Sequence, residues 1–260
     1  RLFSASVADG GLAVVDLGAL QPATFAGQVD ASPASGSNGA ADLALTTVGG
    51  APVLAVAGRY DDAFAVRELA ADGMFLGVRT LPAIPQSTAA LTEIETIVFG
   101  ASTYMIAGRD SGSGLQVFEM VAGNGFRQVG AIADTATLAL ANTGAMVSFN
   151  TGSQHLLFTA SSLDQGITSL AIDAAGSLSV LHSYDSMKRF GIYQPTQLTT
   201  VEVGAADFLV VGAAGSGSLS VFEILTGGAL VARDATWDSL DTRFQGVTAI
   251  ETLEFGGRAF

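Results

Sequence analysis

The sequence predicts an all-β protein built from five repeats, each a sheet of four short antiparallel strands. An apolar residue opens the same strand-like run at intervals of 52, 51, 52 and 52 residues, at Leu12, Phe64, Leu115, Ile167 and Leu219. A glycine ends a shorter apolar run at the matching place of each repeat, at Gly49, Gly100, Gly152, Gly204 and Gly256. A sequence period of this length, without a sustained helical period, indicates a radial or stacked β repeat.

Each repeat divides into four runs of β-branched, aromatic and apolar residues bounded by Gly, Asp, Asn and Ser, which is typical of strands. In the second repeat the predicted strands are Leu43–Val48, Val53–Ala57, Phe64–Leu69 and Phe75–Leu81. The first-to-second and third-to-fourth turns are tight glycine turns, and the second-to-third turn is a polar hairpin. A long connection leads to the next repeat. The Ala/Leu-rich segment Thr135–Asn142 is the best helical candidate, but it is short and uncapped.

Four antiparallel strands followed by a long crossing form the blade of a β-propeller. The amino-terminal segment supplies the second, third and fourth strands of a blade, and Thr248–Phe255 supplies a first strand. We therefore predict a single β-propeller domain over residues 1–260, with five blades, closed by amino- and carboxy-terminal strands that share one blade. Such sharing protects strand edges that would otherwise be exposed. The alternative is a fragment of a larger ring.

Charge and composition exclude several classes of partner. The formal net charge of −13 and the pI of about 4.3 disfavour nucleic acids and anionic membranes. The absence of cysteine excludes disulfides, thiolate metal sites and a cysteine nucleophile. No apolar run approaches the ~18 residues of a membrane span. The chain starts at Arg1 without a signal-peptide pattern, so we expect it to be part of a longer chain.

Two segments carry a resemblance to known propellers. Thr96–Gly125 reads TIVFGASTYMIAGRDSGSGLQVFEMVAGNG, and Leu209–Gly228 reads LVVGAAGSGSLSVFEILTGG. They resemble the blades of the lactonase-like (6-phosphogluconolactonase-type) family and of the propeller modules in large secreted calcium-binding proteins of marine alphaproteobacteria. The resemblance implies a bacterial protein in an extracellular or periplasmic location. The chain departs from these families, because it has five repeats rather than seven and lacks the nonapeptide calcium repeats.

The predicted ligand surface lies where the long crossings and the second-to-third hairpins leave the same face of a blade. Two crossings, Tyr184–Tyr193 (YDSMKRFGIY) and Thr236–Phe244 (TWDSLDTRF), combine aromatic residues with Asp and Arg. A flat aromatic face stacks on a sugar or a peptide while polar groups form hydrogen bonds. The candidate ligand-binding residues are Tyr184, Asp185, Arg189, Tyr193, Trp237, Asp238 and Arg243. The alternative is that the aromatic residues fill gaps between blades and that Asp and Arg pair locally.

A calcium site is a second hypothesis, because hard oxygen ligands cluster in the polar hairpins. The candidate metal ligands are Asp61, Asp62, Asp110 and Asp164. The alternative is that these aspartates form turns through their side-chain hydrogen bonds. We predict no other cofactor.

The first strands are expected to line a central channel with polar residues. These are Glu95, Thr96, Ser148, Thr200, Glu251 and Thr252. A Thr/Ser ring can hold water or an ion, and paired carboxylates could perform acid–base chemistry. We assign no catalytic residue. The favoured function is a non-enzymatic extracellular binding and scaffold module whose loop face contacts carbohydrate, peptide or a partner chain. The alternative is a lactonase- or glycosidase-type hydrolase acting in the channel.

Overall fold

The computed structural model describes residues 1–6, 8, 11–17, 22–30, 38–60, 63–80, 91–110, 114–121, 125–184, 190–255 and 258–259. These residues form strands and turns without an α-helix, so the all-β prediction is confirmed. The helical candidate Thr135–Asn142 forms turns, because it is too short to sustain a helix. The chain forms two compact units: unit 1 is Arg1–Ser111 with Gln116–Gly130, and unit 2 is Gly112–Leu115 with Ala131–Phe260. One domain over the whole chain stays a prediction.

The strands have the following bounds. They are β1 (Leu2–Ala5), β2 (Leu12–Asp16), β3 (Thr24–Val29), β4 (Ala40–Val48), β5 (Ala51–Gly58), β6 (Ala63–Leu69), β7 (Phe75–Thr80), β8 (Leu91–Phe99), β9 (Ser102–Arg109), β10 (Leu115–Val121), β11 (Gly125–Ile132), β12 (Thr143–Asn150), β13 (His155–Ser161), β14 (Gly166–Ile172), β15 (Leu178–Tyr184), β16 (Pro195–Val203), β17 (Ala206–Ala213), β18 (Ser218–Ile224), β19 (Leu230–Trp237), β20 (Glu254–Phe255) and β21 (Arg258–Ala259).

The strands pair in chain order, as the repeat predicts. β4–β7, β8–β11, β12–β15 and β16–β19 each form a four-stranded sheet, and β1–β3 form a three-stranded sheet. Neighbouring strands pair antiparallel, as β16 and β17 do with Thr200 opposite Leu209. The three-stranded sheet matches the prediction that the amino-terminal segment supplies only part of a blade.

The predicted first strand over Thr248–Phe255 is wrong in extent. Residues 247–253 form no strand, and β20 pairs with β21. Side chains rather than a backbone ladder join this segment to β16. Thr196 Oγ1 donates to the Val247 carbonyl at 2.7 Å, and Thr252 Oγ1 donates to the Thr200 carbonyl at 2.9 Å. The completion of one blade by both chain ends stays a prediction.

The first strand of each four-stranded sheet has a β-bulge near its start, which the sequence analysis missed. The register with the next strand slips by one residue at Ala41, Thr92, Gly144 and Thr196, in β4, β8, β12 and β16. A bulge increases the local twist of a strand. The same irregularity therefore follows each long crossing into these four sheets.

Each unit has its own apolar core, formed where the faces of neighbouring sheets meet. In unit 1, β5 and β6 contribute Val53 and Phe64, which cluster with Ile94 and Phe118 of the next sheet. The rings of Phe64 and Phe118 meet edge to face with centroids 5.2 Å apart. In unit 2, Phe158 and Phe222 belong to an equivalent cluster. Alternate residues of β5, β6, β9 and β10 face the unit 1 cluster, which is why the strand period is visible in the sequence.

Candidate functional site

Buried hydroxyl groups hold the first crossing of unit 2 against the hairpin between β13 and β14. Ser161 Oγ donates to the Ala141 carbonyl. Thr168 Oγ1 donates to the Ala139 carbonyl at 3.2 Å. Both hydroxyl-bearing residues are fully buried, so water does not compete for these bonds. The crossing and the hairpin therefore lie on one side of the sheet.

The same arrangement recurs one repeat later. Ser220 Oγ donates to the Phe190 carbonyl at 2.6 Å, and Ser218 Oγ donates to the Gly191 carbonyl. Both serines are buried on β18. Within unit 2, crossings and second-to-third hairpins thus share one face, as the sequence analysis expected.

Two predicted ligand residues, Tyr193 and Asp238, lie on either side of the hairpin 214–217. The Tyr193 carbonyl accepts the Ser216 amide at 3.2 Å. The Asp238 amide donates to the Gly217 carbonyl at 2.6 Å. The hairpin therefore joins the end of one crossing to the start of the next.

Internal hydrogen bonds fix the loop that follows β19. Asp238 Oδ1 accepts the Phe244 amide at 2.6 Å and so closes the loop. The Ser239 amide donates to Thr242 Oγ1 at 2.7 Å. Short polar side chains that bond to nearby backbone in this way stabilise turns. The Asp238 carboxylate therefore stabilises the loop through its bond to the Phe244 amide, whether or not it also binds a ligand.

Arg243 is held inside the same loop. Its φ of +57° is a left-handed value that few residues other than glycine adopt. Its Nε donates to the Leu240 carbonyl at 2.7 Å, which orients the guanidinium. An open cleft of about 500 Å³ is lined by Asp238, Ser239, Leu240, Arg243 and Gln245.

Large apolar side chains are exposed in the cleft lining and in the segments joined to it. Leu240 is 84% exposed, Trp237 51% and Tyr193 38%. We call Tyr193, Trp237, Asp238, Leu240 and Arg243 the rim surface. The sequence analysis did not name Leu240 as a ligand-binding candidate. The signal that could have identified it is an apolar residue between the polar residues Ser239 and Asp241.

Tyr184, another predicted ligand residue, does not join the rim surface. Tyr184 is half-buried, and its hydroxyl accepts the Leu230 amide at 2.8 Å. That bond supports the gap-filling alternative for Tyr184, whose ring packs against the core of unit 2. Asp185 and Arg189 lie outside the described residues.

The hairpin aspartates differ in their surroundings. Asp164 Oδ2 accepts the Ala141 amide at 2.9 Å and the Ser161 hydroxyl at 3.0 Å, which is the turn-forming role. Burial raises the pKa of Asp134, in the crossing before β12, and the negative charge of Asp164 raises it further. Asp110 is half-buried at the end of β9.

Asp61 and Asp62 lie outside the described residues. Within the described ranges, no three His, Asp or Glu side chains come together as a metal site would need. Calcium binding by the hairpin aspartates therefore stays a prediction.

The predicted channel residues are divided between the units. Glu95 and Thr96 are half-buried on β8 of unit 1. In unit 2, Ser148 and Thr200 are half-buried on β12 and β16, and Glu251 is exposed. Thr200 and Thr252 do meet, through the bond from Thr252 Oγ1 to the Thr200 carbonyl. A ring around a channel stays a prediction.

A half-buried carboxylate, Asp42, is a further residue that the sequence analysis missed. Its two carboxylate oxygens accept the amides of Leu43 at 2.7 Å and Ile94 at 2.8 Å. Burial raises the pKa of Asp42, and the two amide bonds oppose this shift. The Asp42 carboxylate therefore links β4 to β8, the first strands of two sheets in unit 1.

Comparison with solved structures shows what this geometry resembles. A protein from Lactobacillus plantarum has a TM-score of 0.64 and 17% identity, covering 90% of this chain and 67% of that one. The periplasmic gluconolactonase of Pseudomonas aeruginosa has a TM-score of 0.64 and 16% identity, covering 86% and 63%. A β-propeller domain from Myceliophteria thermophila has a TM-score of 0.57 and 16% identity, covering 93% and 69%.

The chain has the β-propeller fold and resembles its lactonase-like members. At these identities the likeness shows the fold alone. The propeller chain spans 63–69% of the length of these structures. No protein-family model matches the chain, and no curated protein matches it. The described part of the chain contains no helix that could span a membrane.

Proposed function

We propose that the propeller is an extracellular or periplasmic binding module whose rim surface contacts a carbohydrate. The observation that carries the proposal is the polar cleft lined by Asp238 and Arg243, with exposed Trp237 next to Asp238 in the chain and exposed Tyr193 joined to Asp238 through the hairpin 214–217. Hydrogen bonds to the hairpin 214–217 hold Tyr193 and Asp238 on either side of it. A preorganised surface loses less conformational entropy on binding.

The chemistry of the rim surface suits a sugar. The C–H face of a pyranose stacks on an aromatic ring, and its hydroxyls bond to Asp, Arg and Ser side chains. The fold likeness to a protein named as a periplasmic gluconolactonase, a name that denotes a sugar-derived substrate, is compatible with this ligand class and with this location.

A glycan array followed by calorimetry with the best ligand tests the proposal. We expect Trp237→Ala to weaken binding by about tenfold, because one aromatic contact contributes roughly 1.4 kcal/mol. The matched control is Phe25→Ala, which removes an aromatic residue that is 66% exposed in unit 1. Equal effects of the two variants, or an array without any sugar ligand, would contradict the proposal. Binding of peptides instead would assign the surface to a protein partner.

A sugar-lactone hydrolase is the second candidate, and the fold likeness to a gluconolactonase favours it. The residues to test are the channel carboxylates Glu95 and Glu251. Lactone and glycoside panels would be assayed with the unaltered protein and with Glu95→Gln and Glu251→Gln. Turnover that either variant abolishes, while Trp237→Ala retains it, would replace the binding-module proposal with an enzyme.

A further inference from the structure

Two opposite charges line the cleft in the loop after β19 without forming an ion pair. Asp238 and Arg243 both belong to the lining of this cleft of about 500 Å³. Within the described ranges, no carboxylate oxygen lies within 4.0 Å of the Arg243 guanidinium nitrogens. Arg127, another exposed arginine, pairs with Glu119 on the neighbouring strand. The separation of Asp238 from Arg243 is therefore a property of this cleft.

Hydrogen bonds to the backbone of the loop hold each charge in place. Asp238 Oδ1 accepts the Phe244 amide at 2.6 Å. Arg243 Nε donates to the Leu240 carbonyl at 2.7 Å. Among the residues that the structure describes, none bonds to Asp238 Oδ2 or to the terminal nitrogens of Arg243. Because a guanidinium has five N–H donors, its terminal N–H groups stay available to a ligand.

The backbone at Arg243 indicates that its side chain has a role beyond the fold. Its φ of +57° is left-handed. One repeat period of 52 residues earlier the chain has Gly191, whose φ is +77°. Glycine adopts this conformation without strain, whereas a residue with a Cβ is strained there. Glycine therefore meets the needs of the backbone at this position, and a strained arginine in its place points to a function of the guanidinium.

We propose that the cleft binds a sugar that carries both an amine and a carboxylate, and this inference rests on the carbohydrate site proposed above. The ligand carboxylate bonds to the terminal nitrogens of Arg243, and the ligand ammonium bonds to the second oxygen of Asp238. Charge-assisted hydrogen bonds are about twice as strong as neutral ones, so the two fixed charges favour this ligand over a neutral sugar. Its own charges cancel, so the net charge of −13 does not repel it.

Calorimetric titrations of the whole chain with four sugars test the inference. The probes are muramic acid, which carries both groups, glucosamine and glucuronic acid, which carry one group each, and glucose, which carries neither. A pH of about 6 keeps the amines protonated and the carboxylates ionised. We expect muramic acid to bind at least about tenfold more tightly than each of the other three sugars.

Two variants remove one charge each, and two matched variants serve as controls. Asp238→Asn keeps an oxygen for the Phe244 amide, and it should weaken muramic acid binding by about tenfold without weakening glucuronic acid binding. Arg243→Gln should weaken binding of both these acids by about tenfold without weakening glucosamine binding. Asp241→Asn in the same loop but outside the lining, and Arg59→Gln on an exposed residue of unit 1, should leave all affinities nearly unchanged. Melting curves check that each variant folds.

The failure of this inference and the failure of the carbohydrate site give different results. If muramic acid binds no more tightly than glucose, or if neither Asp238→Asn nor Arg243→Gln weakens its binding, the inference is wrong and the carbohydrate site stands. A titration with serine, which carries the same two charged groups without a sugar ring, tests the site itself. Binding of serine without binding of any sugar would overturn both proposals and assign the two charges to an amino acid.

Discussion

Gly215→Ala is the sharpest test of how the rim surface is held. A Cβ on Gly215 would lie 2.6 Å from Tyr193 Cδ1 and 2.7 Å from the Tyr193 carbonyl oxygen. A Cβ atom does not approach non-bonded atoms this closely, so something must move. A ring can rotate, but the carbonyl oxygen belongs to the backbone that bonds to Ser216. The added methyl group must therefore displace the chain at Tyr193.

The expected cost of Gly215→Ala is about 1–3 kcal/mol of unfolding free energy, the usual range for overpacking. That corresponds to a fall in Tm of roughly 2–4 °C per kcal/mol for a chain of this size. Gly144→Ala is the matched control. It has no left-handed φ, and the atoms nearest to its Cβ are 3.8–4.0 Å away.

Calorimetric melting and sugar affinity would be measured for both variants. We expect Gly215→Ala to lower both, and Gly144→Ala to change neither appreciably. If Gly215→Ala melts and binds like Gly144→Ala, then Tyr193 does not pack on the hairpin as described, and the argument for a preorganised rim is refuted.

Three further predictions concern residues that support the two units. Tyr184→Phe removes the acceptor of the Leu230 amide and should cost about 1–3 kcal/mol in urea unfolding without changing sugar affinity; a loss of affinity alone would return Tyr184 to the ligand surface. Ser161→Ala should cost a similar amount and raise hydrogen exchange at the Asp164 amide, which it bonds; unchanged exchange would contradict this. Burial raises the pKa of Asp42, so Asp42 binds a proton more tightly in the folded protein than in the unfolded chain. The unfolding free energy of the unaltered protein, relative to that of Asp42→Asn, should therefore fall as pH rises from about 3.8 through the raised pKa. Urea midpoints that show the opposite trend would contradict the assignment.

The sequence was a good guide to the strands because two simple periods determine them. The 52-residue repeat and the alternation within runs predict β4–β19 and the incomplete sheet at the amino terminus. The failure is at Thr248–Phe255, whose composition favours a strand. A strand also needs a backbone partner, and residues 247–252 are instead joined to β16 through threonine hydroxyls. Composition does not report which atoms supply those bonds.

The candidate site was harder to predict for a related reason. The motif of an aromatic residue, Asp, Ser, Arg and Phe occurs in both crossings, but it does not show which aromatic ring is exposed. The Tyr184 hydroxyl accepts a hydrogen bond from the Leu230 amide, whereas Trp237 is 51% exposed. The half-buried carboxylate of Asp42 lies just before the predicted strand Leu43–Val48, so the sequence analysis did not place it in a sheet. Burial depends on the neighbouring sheet, which a single repeat does not reveal.

One repeat position carries a hydroxyl in unit 2 and none in the second repeat, which belongs to unit 1. The residue after the opening apolar position is Thr168 or Ser220 in unit 2, and each donates to a crossing carbonyl. The same position in the second repeat is Ala65, which is buried and has no hydroxyl to donate. A crossing that receives such a bond loses less entropy when a ligand orders it further. The hydroxyls of Thr168 and Ser220 therefore support a preorganised ligand surface in unit 2, independently of the exposed aromatic residues.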